Sequence, residues 1–190
     1  MKRTNKFIFI IFLVIFLGCV TNSNTNSNID YNLNNQGLLI ATKDRNVKLF
    51  IPSQSLQAVR DRQGGGQNNP NYFYFVDSNV AGIDMNLHFS GWLLPIENYK
   101  YNHVAEFWLE EYGNNNIYNH DIREYNNWQA FFFDVPVPPE FVNVNSSHMR
   151  ANLLQGDTWI DLHLSITDRR TSDVLHNILF EYLKTIQIRN

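Results

Sequence analysis

Two stretches of this chain place chemically active side chains at every second position. In residues 83–93 (IDMNLHFSGWL), Asp84, Asn86, His88, Ser90 and Trp92 alternate with Ile83, Met85, Leu87 and Phe89. In residues 158–166 (TWIDLHLSI), Trp159, Asp161, His163 and Ser165 alternate with Ile160, Leu162, Leu164 and Ile166. A β-strand turns successive side chains to opposite faces, so each stretch predicts one apolar face and one carrying a carboxylate, a histidine, a serine and a tryptophan. If the strands pair antiparallel with Trp92 opposite Trp159, Ser90 faces Asp161 and His88 faces His163, with opposed Cβ atoms about 5 Å apart. Two histidines beside Asp84 or Asp161 have the donor chemistry for a transition metal, and two tryptophans make a shelf for a sugar ring or a peptide. The same alternation also describes the solvated side of an ordinary antiparallel sheet, with the tryptophans under a helix edge or loop. A metal needs further ligands, and His103, His120, His148 and His176 stand on segments whose placement the sequence leaves open.

Much other chemistry is excluded. The 190 residues contain no Gly-x-Ser-x-Gly elbow, no phosphate-binding Gly-x-x-x-x-Gly-Lys-Ser/Thr loop, no Gly-x-Gly-x-x-Gly and no His-Glu-x-x-His. Gly64, Gly65 and Gly66 lack the lysine and helix that a phosphate loop needs and read as a surface loop. A single cysteine rules out an internal disulfide, a four-cysteine zinc site and a Cys-x-x-Cys redox centre. The net charge of −3, without a lysine and arginine cluster in the body of the chain, argues against nucleic acid as a partner. Glu106, Glu110 and Glu111 share one short segment and read as a solvated rim, because a hydrolytic pair needs carboxylates opposed across a cleft. No catalytic residue and no cofactor is assigned.

The lone cysteine has a different meaning. Lys2, Arg3 and Lys6 precede eleven unbroken apolar residues, 7–17 (FIFIIFLVIFL), followed by Gly18 and Cys19. Eleven helical residues span about 16 Å, roughly half of a bilayer core, which is the size of a signal segment and too short for a spanning helix. This segment resembles the bacterial lipoprotein signal family, in which a small residue precedes a cysteine that is lipidated and becomes the new N-terminus. The resemblance implies lipidation at Cys19, anchoring in the cell envelope and, with Val20 rather than aspartate next, an outer-membrane position facing the periplasm where the cell has two membranes. Removal of residues 1–18 takes lysine plus arginine from 15 to 12 against 18 acids, a net −6. Residues 21–28 (TNSNTNSN) contain only Asn, Ser and Thr, so residues 19–35 are expected to form a disordered tether and residues 36–190 one domain.

The domain must position the two polar faces. Strands are expected over 38–42, 47–51, 72–76, 83–93, 128–135, 149–154 and 158–166, with helices over 53–62, 103–112 and 173–186. Trp128, Ala130 and Phe132 alternate with Phe131, Phe133 and Val135, as in a strand covered on both faces. Ser172 is the expected cap of the last helix, and Val174, Leu175, Ile178, Leu179, Tyr182 and Ile186 its buried stripe. This order predicts an α+β fold with a single antiparallel β-sheet flanked by two main helices. The arrangement resembles the PsbP-like fold family, chiefly in residues 128–136, 158–166 and the last helix. That resemblance implies an α/β/α sandwich and a binding or assembly role, with no site residue carried over. The leading functional expectation is a non-catalytic, lipid-anchored interaction module, of the immunity or assembly kind, with a protein partner. A small-ligand or metal carrier built on His88 and His163 is second, and an envelope hydrolase third.

Overall fold

Alternation, rather than helical spacing, dominates the chain, and among the described residues it builds twelve strands and two α-helices. The computed structural model describes residues 20–21, 28–44, 47–58, 69–98, 104–112 and 117–189; the signal segment, Cys19, His103 and the three consecutive glycines lie outside them. In chain order the elements are β1 (Val20–Thr21), β2 (Ile29–Asn34), β3 (Gly37–Thr42), β4 (Lys48–Ile51), β5 (Leu56–Ala58), β6 (Tyr72–Asp77), β7 (Leu87–Pro95), α1 (Val104–Tyr112), β8 (Tyr118–Tyr125), β9 (Trp128–Val135), β10 (Asn145–Gln155), β11 (Thr158–Asp168), α2 (Ser172–Thr185) and β12 (Gln187–Arg189). No helix among the described residues is long and apolar enough to cross a membrane.

The strands form two antiparallel sheets, ordered β1-β2-β3-β4-β12 and β5-β6-β7-β11-β10-β9-β8. This overturns the expected single sheet with two flanking main helices: the fold is mostly β. Three segments account for the difference. Residues 29–34, expected within the tether, alternate well enough to form β2, and Ile29 is buried. Residues 56–58, inside an expected helix, form β5 at a sheet edge. Residues 118–125 form β8, an edge strand so charged and exposed that it lacks the apolar alternation by which strands are recognised.

The seven-stranded sheet is covered on one face by the five-stranded sheet and α2. Their shared core includes Ile40, Leu49, Phe75, Phe89, Phe132, Met149, Leu162, Leu175 and Leu179. Helix α1 covers part of the other face through Trp108 on Phe131 and Phe133, so β9 is covered on both sides as its composition demands. Helix α2 departs from expectation at its start. Thr171 is its N-cap and makes no side-chain cap bond, and Val174 is 44% exposed while His176 is buried. In β7, Gly91 is packed so closely on β11 that an added Cβ would lie 2.4 Å from the Asp161 carbonyl oxygen.

Candidate functional site

Strands β7 and β11 are antiparallel neighbours, and their polar residues share the face that α1 partly covers. The register differs from the sequence expectation by two residues: Trp92 lies opposite Asp161, Ser90 opposite His163, His88 opposite Ser165 and Leu94 opposite Trp159. His88 and His163 are therefore diagonal rather than directly opposed. Ser90 does not bond Asp161; its hydroxyl reaches the His163 carbonyl oxygen at 3.4 Å. His88 Nδ1 bonds the Tyr74 hydroxyl of β6. Asp84 precedes β7 and stands apart: its N–H donates to Asp168 at 2.9 Å and its exposed carboxylate pairs with Arg170 at 3.3 Å. The described residues contain no group of three or more His, Cys, Asp or Glu side chains that could hold a metal ion.

What the shifted register does assemble is an aromatic pocket of about 340 Å³, lined by Trp92, Trp159 and Asp161 together with Phe107, Trp108, Glu111, Tyr112 and Arg150. Arg150 is its centre, although it is only 7% exposed. Its guanidinium carbon lies 4.2 Å from the Trp108 ring centre and 5.2 Å from that of Trp92, so two indoles take the place of water around the cation. Nε and Nη2 donate to the Tyr112 hydroxyl at 3.3 and 3.1 Å. Nη1 lies 3.6 Å from Asp161 Oδ1, within ion-pair range but without a hydrogen bond. Trp108 Nε1 is likewise buried with no hydrogen-bond partner among the described residues.

Asp161 is oriented by a relay. Trp159 Nε1 donates to Asn152 Oδ1 at 2.8 Å, and Asn152 Nδ2 donates to Asp161 Oδ1 at 3.2 Å. Burial pushes the Asp161 carboxyl up to about 6, against the opposing pull of Arg150 and the Asn152 bond. The Arg150 charge therefore offsets only part of the cost of burying this carboxyl.

No family model matches the chain, and no curated protein matches it in sequence. Among solved structures, it is similar to the Saccharomyces cerevisiae Ran-binding protein Mog1p, with 11% identity and a TM-score of 0.46, over 74% of this chain and 89% of that one. It is also similar to a point mutant of protein Mog1, with 9% identity and a TM-score of 0.47 over the same shares.

The structure brings together Trp92, Trp159 and Asp161 in the pocket, sets His88 and His163 beside it, and leaves Asp84 out. The central residue, Arg150, is absent from the sequence reading, yet one signal marks it. It is the lone charge in the otherwise buried stretch 149–153 (MRANL), on the parity opposite Met149, Ala151 and Leu153.

A serine, a histidine and an aspartate also meet elsewhere. Ser147 Oγ donates to Asp134 Oδ1 at 2.6 Å, His176 Nε2 lies 3.1 Å from the same oxygen, and Asn119 Nδ2 donates to Oδ2 at 2.9 Å. A nucleophilic triad has its histidine between serine and aspartate. Here the carboxylate stands between the other two, so the imidazole is not placed to take the serine proton. Burial would raise the Asp134 carboxyl, but bonds from His176, Ser147, Ser172 and Asn119 outweigh it and hold the group at about 2. The cluster joins β8, β9, β10 and the start of α2.

Proposed function

We propose that the protein is a lipid-anchored, non-catalytic binding module of a bacterial envelope, and that the pocket around Arg150 is where it meets its partner. The observation that carries this reading is the clamping of a buried arginine between Trp92 and Trp108 at the edge of a docked helix. Trp, Tyr and Arg in desolvated pockets dominate the energy of protein interfaces, and this pocket concentrates all three. Burying the Arg150–Asp161 pair costs stability that a hydrophobic pair of the same volume would avoid, so its presence is better explained by recognition than by folding. The non-catalytic part of the proposal draws support from the order of groups in the Ser147, Asp134 and His176 cluster. The anchored part rests on the signal segment and Cys19.

A photo-crosslinking amino acid in place of Trp92, in the full chain expressed in envelope-containing cells, is expected to give one discrete protein adduct. The same group in place of the exposed Val174 on α2 is expected to give none. Changing the exposed rim residue Glu111→Arg should suppress the Trp92 adduct. Equal labelling from both positions would count against the pocket, and unchanged membrane fractionation of Cys19→Ala would count against the anchor.

A further inference from the structure

Beyond the pocket, two imidazoles on the same sheet face meet end to end. His148 of β10 lies opposite Ser165, and His163 of β11 lies opposite Arg150, so the two histidines are diagonal neighbours. His148 Nδ1 and His163 Nε2 are 3.0 Å apart, with ring centroids 5.3 Å apart and planes 18° apart. The centroid separation exceeds the nitrogen separation by about two ring radii. The nitrogens therefore lie on the line between the ring centres, and the rings share nearly one plane instead of stacking face to face. His148 is held in place, with Nε2 3.1 Å from Ser146 Oγ, Ser146 Oγ 3.1 Å from Thr167 Oγ1, and its ring stacked on Phe133 at 5.2 Å. Both imidazoles are half-buried and so within reach of solutes.

Two ring nitrogens aimed at each other along one line hold a single shared proton, and they are also the donor set of a two-coordinate cation. We propose that His148 and His163 form a two-coordinate site for the cuprous ion. Zn²⁺ demands about four ligands, and the described residues contain no group of three or more His, Cys, Asp or Glu side chains that could hold a metal ion. A d¹⁰ monovalent ion accepts linear coordination by two imidazoles. Its single charge is also the least opposed by Arg150, which faces His163 from β10 and is itself paired with Asp161. From β7 the neighbour is the neutral Ser90, with His88 diagonal to His163 and bonded to Tyr74.

The ion takes the position of the shared proton. With His148 Nε2–H donating to Ser146, that proton sits on His163 Nε2. Bound to the ion through Nε2, a neutral His163 carries that proton on Nδ1 instead, so two neutral imidazoles become two neutral imidazole ligands with no net proton release. Metal–imidazole bonds of about 2 Å require the nitrogens to separate from 3.0 Å to roughly 4 Å, so binding entails a side-chain rotation of His163 against the fixed His148.

The test is an anaerobic titration of the full Cys19→Ala chain, which carries no cysteine sulfur, with Cu(I) against a chromophoric Cu(I) chelator. One equivalent is expected to bind, with no matching Zn(II) uptake. His148→Gln and His163→Gln are each expected to weaken binding by more than the roughly 10–100-fold that outer-shell changes cost, whereas the exposed His120→Gln is expected to leave it unchanged. Affinity should fall on acidification, because protons compete with the ion for the two imidazole nitrogens. Histidine ¹⁵N spectra of the unsubstituted rings, which do not depend on variants folding, should show Cu(I) shifting Nδ1 of His148 and Nε2 of His163. Failure to retain Cu(I), retention unaffected by both substitutions, or shifts confined to other rings would overturn the site.

Discussion

Asp134 and Asp161 are both buried, and folding moves their carboxyls in opposite directions. Asp134 falls from its ordinary 3.8 to about 2. Its contribution is thus fully present above pH 3.8 and is lost as pH falls through 2, about 2 kcal/mol in all. Asp161 rises to about 6, so the native state binds its proton more tightly than the unfolded chain does. That contribution is present below pH 3.8 and is lost as pH climbs to 6, on the order of 2–3 kcal/mol. Two substitutions separate the effects. Asp134→Asn is expected to be about 2 kcal/mol less stable than the parent at pH 7, with the gap closing by pH 2. Asp161→Asn, neutral at every pH, is expected to be more stable than the parent at pH 7 by on the order of 2–3 kcal/mol, with the gain gone below pH 4. Urea unfolding across pH 2–7 measures both. A loss of stability in Asp161→Asn at pH 7 would mean that the carboxylate serves Arg150 as a structural counter-ion first.

Between residues and the whole, the elements differ in how firmly they are held. Helix α2 is fastened near both ends, by His176 on Asp134 and by the Tyr182 hydroxyl donating to Asp77 at 2.9 Å. Helix α1 hangs on Phe107, Trp108 and Tyr112, so Trp108→Ala should undock it before the sheet unfolds. Hydrogen exchange is expected to show lost protection over Val104–Tyr112 with β9, β10 and β11 still protected, at a cost of about 3–5 kcal/mol to local stability. Gly91→Ala tests the β7–β11 contact, where even a methyl group meets the backbone of the next strand, and should cost about 3 kcal/mol or more in denaturant midpoint experiments. The faces of β7 and β11 were legible in their alternation, but their register was not. A slip of two residues keeps every side chain on its own face, so both registers satisfy the same pattern and only the turns and packing choose between them. Strand β8 was illegible for the opposite reason, since an edge strand has little to bury and advertises nothing.

At the scale of the molecule, the second sheet changes what an anchor at Cys19 would do. An Asn/Ser/Thr-rich segment read from composition is a leash that lets the domain wander from the bilayer. The structure instead pairs Val20 with Leu33 and Thr21 with Asn32, adding β1 to the edge of the five-stranded sheet. Cys19 is the residue before Val20 in the sequence. With lipid on Cys19, the edge of the five-stranded sheet is held at the membrane, and the tip of the β10–β11 hairpin, which belongs to the other sheet, has no such constraint. The lipidated chain in vesicles, with a nitroxide label at Asn34→Cys or at Asp157→Cys, distinguishes the two pictures. Asn34 is exposed at the end of β2, and Asp157 is exposed in the turn between β10 and β11. Lipid-borne relaxation agents are expected to broaden the label at 34 strongly and the label at 157 weakly. Equal broadening at the two positions would restore the leash, and with it a domain free to present the Arg150 pocket in any orientation.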